Sequence, residues 1–184
     1  MGRNLIAAVS SATLVMGGAA FAQHAGHGPP PGPAATATPY AGQDNRSVAS
    51  LSDSDVEAMR DGKGMGFARP AELNGYPDPM HILELAGELD LSTTQRTEIE
   101  VLFQQMKTRA RAAGEAYVAA EMALDAAFKA RNADTQSVAQ LTRDADQKRA
   151  EMRLAHLDAH IEARRILTET QLQRYATLRG YGTK

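Results

Sequence analysis

The sequence predicts an all-α protein built around a long antiparallel helical hairpin flanked by short helices. Three observations predict it. Apolar residues recur in steps of three and four along two long segments. No stretch alternates with a period of two. The second half is dominated by Ala, Leu, Gln, Arg and other charged residues, a composition that favours long helices.

The chain opens on a segment that reads as a secretory leader, residues 1–22. Arg3 supplies the positive charge, Leu5 to Met16 a short apolar run, and Ala20-Phe21-Ala22 a cleavage site that leaves Gln23 as the new N-terminus. That run is short for a membrane span, which favours cleavage over an uncleaved anchor, and no later stretch qualifies. The expectation is an exported, periplasmic protein that is not an integral membrane protein after cleavage. Residues 23–50 contain QHAGHGPPPGPAATATPYAGQ, rich in Pro, Gly, Ala and Thr without period, and read as a disordered tail. Residues 51–78 read as an irregular arm. SDSDVEAMR suits a short helix capped by Ser52 or Ser54, and DGKGMGFARPAELNGYPDP then breaks it with Gly and Pro.

The helical domain is expected over residues 79–180. MHILELAGEL is a short amphipathic helix from Pro79 to about Gly87–Leu89. A long helix follows from Thr93 to about Arg131, with a seam at Ile99, Leu102/Phe103, Met106, Ala110, Ala113, Tyr117, Ala120, Leu124 and Phe128. RNADTQ places a turn at Asn132–Asp134. The second long helix runs from Thr135 to about Ile166, and a last short one from Glu169 to Arg179. The second long helix carries two apolar stripes: Leu141, Ala145, Met152, Ala155, Ala159 and Ile166, and, on roughly the opposite side, Leu154, Leu157 and Ile161. One stripe packs within the hairpin. The other needs a partner, either the flanking short helices or a second subunit, and a homodimer is expected because two long helices alone make a thin core.

Composition narrows the chemistry. With no cysteine, disulfides, thiolate metal sites and cysteine nucleophiles are excluded. The 20 Lys and Arg lose Arg3 with the leader against 22 Asp and Glu, so the mature chain carries −3 and offers no electrostatic case for nucleic acid. There is no glycine-rich phosphate loop, nucleophile elbow or HExxH. The chain reads as a non-enzyme.

Five residues occur almost twice: LSTTQ at Leu91–Gln95 and LTETQ at Leu167–Gln171. Physically, L-[ST]-x-x-Q is a helix start. Ser92 and Thr168 suit the N-cap, and Gln95 and Gln171 stand three residues on, where they can reach back to the cap N–H. Leu167 can staple onto Leu172, whereas the matching residue for Leu91 is Arg96.

A pair of such motifs bracketing a helical hairpin behind a leader resembles the Spy/CpxP (LTxxQ-motif) family. That family includes zinc-resistance-associated proteins and has relatives among periplasmic heavy-metal sensors. MRLAHLDAHIEARRILTETQLQRY, Met152 to Tyr175, looks like the family's second arm running into its second motif. The resemblance covers about Tyr76 to Gly180. It implies a curved, cradle-like four-helix dimer, and a role as an ATP-independent chaperone, an inhibitor of envelope-stress signalling or a metal binder. Departures are Ser92 in place of Thr, a mildly acidic chain where the chaperone branch is basic, and the 51–78 arm, which has no counterpart.

Met152, His156 and His160 stand at i, i+4 and i+8, so the two imidazoles share a helix face and can bind one Zn, Cu, Ni or Co ion. A thioether adds a soft ligand that favours Cu(I). Glu151, Asp158 or Glu162, or else a second subunit, would complete the site. His24 and His27 form a second, flexible pair beside the new N-terminus. His81 stands alone at a helix start and reads as structural. Three functions follow as expectations: a periplasmic heavy-metal-responsive protein for sensing, buffering or resistance; a holdase for unfolded clients; or a modulator docked on a membrane sensor domain.

Overall fold

In a computed structural model, residues 38–182 are described. The leader, most of the tail, His24 and His27 lie outside them. Among the described residues the secondary structure is helical, with one isolated bridge between Val48 and Leu51 and no strand. Six helices follow in order: α1 Asp53–Arg60, α2 Arg69–Glu72, α3 Pro79–Glu84, α4 Thr93–Lys129, α5 Thr135–Ile166 and α6 Glu169–Leu178.

The two long helices pack together. At 37 and 32 residues they extend roughly 55 and 48 Å. Gln95 on α4 reaches the Ile166 carbonyl at the end of α5, and Arg109 pairs with Asp158. Positions therefore pair in opposite order along the two helices. The connection is short. Arg131 takes a left-handed conformation (φ 55), and Asp134 caps α5 by accepting from the N–H groups of Gln136 and Ser137.

Small residues let the elements approach closely. Ala110 and Gly114 on α4, and Ala145, Ala155, Ala159 and Ala163 on α5, are all buried. At Gly114 a Cβ would lie 2.0 Å from the Met59 carbonyl oxygen, so the C-terminal end of α1 is seated directly on the α4 backbone.

The core has two centres. One gathers Val48, just before the arm, and Leu51, Val56 and Met59 of the arm over Tyr117, Val118, Ala145 and Met152. The other gathers Ile82, Leu89, Ile99, Ala163, Leu167, Leu172 and Tyr175 at the end where α4 starts and α5 finishes. Both repeated motifs belong to that end. Ser92 and Thr168 are N-caps, and each makes a capping box with its glutamine. The two glutamines also bond each other across the interface.

The second stripe of α5 is only partly covered, with Leu157 half-buried. Leu154 and Ile161 are exposed. The arm lies instead along a face defined by Arg149, His156, His160 and Arg164. Arg149 stands over the Phe67 ring and Arg164 over the Tyr76 ring. The physical reason is polar: Tyr76 and Asp78 of the arm offer hydrogen-bond partners that Leu154 and Ile161 cannot use.

Candidate metal centre

His156 and His160 stand one turn apart on α5, in the gap between the two core centres. Both are buried, at 3% and 2% exposure. Arm residues close over them. Pro79 starts α3 with its fixed φ, Asp78 caps that helix by accepting from the Met80 N–H, and this places Asp78 beside α5.

His160 is anchored. Its Nδ1 lies 2.7 Å from the Tyr76 carbonyl, which can only accept, so Nδ1 carries the proton. Its Nε2 is 3.5 Å from a carboxylate oxygen of Asp78. Burial works most strongly against a charge on this ring. The Asp78 carboxylate, the Tyr76 carbonyl and Glu72 outweigh it and raise the pKa above the ordinary histidine value. Asp78 shows the converse: burial opposes its ionisation, but His160 and the Met80 N–H hold its pKa below the usual carboxylate range.

His156 is different. Burial first, and the neighbouring His160 as well, push its pKa down against an opposing pull from Asp78. The neutral imidazole is favoured, and its Nε2 is buried without a hydrogen-bond partner. Such an orphan is uncommon in a packed protein and calls for an explanation. The ring borders two cavities. One, of about 490 Å³, is also bordered by Met65, Met80, His81, His160 and Asp78. The other, of about 380 Å³, has Met80, Asp78, Phe103, Met106 and Lys107 on its walls.

Glu72 organises the rim. Its Oε1 accepts from the Tyr175 hydroxyl at 2.6 Å and the Tyr181 hydroxyl at 3.0 Å, and its Oε2 accepts from the Asp78 N–H at 2.9 Å. Arg179 and His81 lie 3.8 Å from the same carboxylate. Burial and the adjacent carboxylate drive the Tyr175 phenol far above its ordinary pKa. With His160 Nδ1 3.7 Å from its Oε2, Glu72 ties the arm to α5, α6 and the C-terminal segment.

The sequence-predicted ligands separate. His156 and His160 are brought together. Met152 is fully buried in the apolar cluster under α1, away from the cavities, where it packs as core. Glu151, Asp158 and Glu162 lie on other faces of α5, each paired with a basic neighbour: Lys148, Arg109 and Arg165. The residues that do approach the histidines, Glu72, Asp78 and Met80, come from the arm and from α3. Among the described residues no three His, Asp or Glu side chains already converge on one point close enough to hold an ion. The donor set around the cavity is mixed: imidazole, the carboxylates of Glu72 and Asp78, and thioether sulfur. An orphaned imidazole nitrogen in such a set suits a transition metal.

No family model, curated protein or solved structure matches this chain.

Proposed function

We propose that this chain is an exported, non-enzymatic metal-binding protein of the Spy/CpxP type, which takes a transition metal ion of the Zn, Cu, Ni and Co class for sensing, buffering or resistance. The observation that carries this reading is the Nε2 of His156, buried and unpartnered, on a residue that borders a cavity together with His160 and Asp78. His160 adds support: its Nδ1–H is fixed on a backbone carbonyl, which is how metal-binding imidazoles are oriented. The paired L-[ST]-x-x-Q motifs support the family, and the leader supports the periplasm. Calorimetric titration of the chain with Zn(II), Cu(II), Ni(II) and Co(II) tests it. Binding at one ion per chain is expected, and it is lost in His156→Ala/His160→Ala. Unchanged affinity in that variant would remove the site.

A second reading, an ATP-independent holdase, is favoured by a separate observation. Val101 on α4 and Leu154 and Ile161 on α5 are large apolar side chains left exposed along the long helices. A second copy of the chain or an unfolding client would cover them. Light scattering with an aggregating client distinguishes the readings: a holdase suppresses aggregation at stoichiometric dimer, and a metal buffer does not.

A further inference from the structure

We propose that the cavity beside His156 is selective for a soft monovalent ion, Cu(I) or Ag(I), held by the His156 imidazole and the thioethers of Met80 and Met65. This rests on the reading of the cavity as a metal site and names the ion that suits it.

Three observations carry the proposal. First, both methionines border the same cavity as His156, and Met80 borders the neighbouring one as well. Each is 40% exposed, although methionine is a side chain that usually fills cores. Neither serves the core centres, which are built from other residues.

Second, Met65 keeps a costly backbone. It stands between Gly64 and Gly66 with φ 45, a left-handed conformation in which glycine is the relaxed choice. The strain holds a thioether at a position that local sterics would give to glycine.

Third, the donors match a soft ion better than a hard one. Thioether sulfur selects Cu(I) over Zn(II), Ni(II) or Co(II), which need several imidazole or carboxylate donors. The carboxylates nearest the cavity are already engaged: Glu72 by two phenols and a backbone N–H, and Asp78 by the Met80 N–H and His160. His156 Nε2 is a buried imidazole nitrogen without a hydrogen-bond partner, as is Nδ1 of His81, which borders the same cavity, and Cu(I) accepts low coordination by imidazole and thioether.

The experiment is an anaerobic competition of the full chain with a chromophoric Cu(I) chelator, beside Ag(I) and Zn(II) titrations. The isotope-labelled methionine methyl signals are followed by NMR. The expected result is one Cu(I) or Ag(I) per chain, with the Met65 and Met80 methyls shifting at one equivalent of Ag(I). Met65→Leu/Met80→Leu should weaken Cu(I) by about tenfold or more and change Zn(II) by less than about twofold. Both methionines are partly exposed, so circular dichroism should show this variant folded. If it binds Cu(I) as tightly as the parent, the thioether assignment is overturned while the imidazole site stands. If Cu(I) is lost only in His24→Ala/His27→Ala, the ion belongs to the tail and the proposal fails. Should His156→Ala leave every metal affinity intact, the broader metal reading falls with it.

Discussion

The side chains of Gln95 and Gln171 donate to each other: Nε2 of Gln95 lies 2.9 Å from Oε1 of Gln171, and Nε2 of Gln171 lies 3.1 Å from Oε1 of Gln95. Each glutamine also accepts from its own cap N–H, at Ser92 and at Thr168. Each donates to a carbonyl near the other motif: Gln95 to Ile166 and Gln171 to Leu89. The repeat is therefore a reciprocal clasp as well as two helix starts. Replacing either glutamine by Ala removes a cap bond, a bond to a main-chain carbonyl and both bonds of the amide pair. The expected cost is about 2 kcal/mol each. The double variant should cost less than the sum by about 1 kcal/mol, since either single change already breaks the pair. Urea denaturation of the four proteins of the cycle measures this, and full additivity would mean the amide pair contributes nothing.

Gly114 predicts how the arm is held. Alanine would gain helix propensity, yet its Cβ would meet the Met59 carbonyl at 2.0 Å, and backbone cannot give way as a flexible side chain would. Gly114→Ala is expected to cost about 2 kcal/mol or more and to lift α1 from α4. Hydrogen exchange over residues 53–60 should accelerate while α4 and α5 remain protected. Gly87→Ala is the internal control. Nothing lies within 4 Å of its Cβ, and the change should be neutral or stabilising by about 0.5 kcal/mol.

Tyr117 sets an alkaline limit. Its ring is buried in the cluster beneath α1, and burial, with Glu121 beside the hydroxyl, pushes its pKa up to about 12 from 10. A group whose folded pKa is raised stabilises fully below its unfolded pKa, and that stability is lost as pH climbs from 10 towards 12. Tyr175, also raised, acts in the same direction. Thermal stability should fall over that window, and the tyrosinate absorbance of these two residues should emerge with unfolding rather than before it. In Tyr117→Phe the alkaline loss should be smaller. An equal loss would place the effect elsewhere.

What was legible in the sequence follows from which forces are local. Helix starts are written in a few neighbouring side chains, so Ser92, Asp134 and Thr168 mark α4, α5 and α6 to the residue. The heptad-like seam likewise identifies Ile99, Met106, Ala110 and Tyr117 as buried, while its last member, Phe128, is exposed. The candidate site was only half legible. His156 and His160 are visible as an i, i+4 pair, but helical spacing extends equally to Met152, and only the arm distinguishes the thioether that packs as core from the imidazoles that border a cavity. The arm's contribution is non-local. Glu72 meets Tyr175 and Tyr181 across more than a hundred positions, and no periodicity encodes that encounter. The available hint was the run Tyr76-Pro77-Asp78-Pro79, an extended segment with one carboxylate at a helix cap. The mutual bond between Gln95 and Gln171 was hidden for the same reason: each motif is complete as a cap without it.

Glu72 supplies the last prediction, because it joins elements that share little apolar contact. Its carboxylate accepts from two phenols on one oxygen and from the Asp78 N–H on the other. Glutamine has the same shape but only one accepting atom. Whichever way its amide turns, an N–H faces a group that was donating, and the negative charge beside Arg179 and His160 is lost. Glu72→Gln is expected to destabilise by about 3 kcal/mol, the range for a largely buried charged acceptor that is left mismatched. Tyr181→Phe removes one bond and leaves the other two, so about 1 kcal/mol is expected. The loss should be local first. The arm over residues 61–78 should become protease-sensitive in Glu72→Gln at temperatures where far-ultraviolet circular dichroism still reports intact long helices. Simultaneous loss of arm and helices would show instead that the carboxylate supports the whole fold.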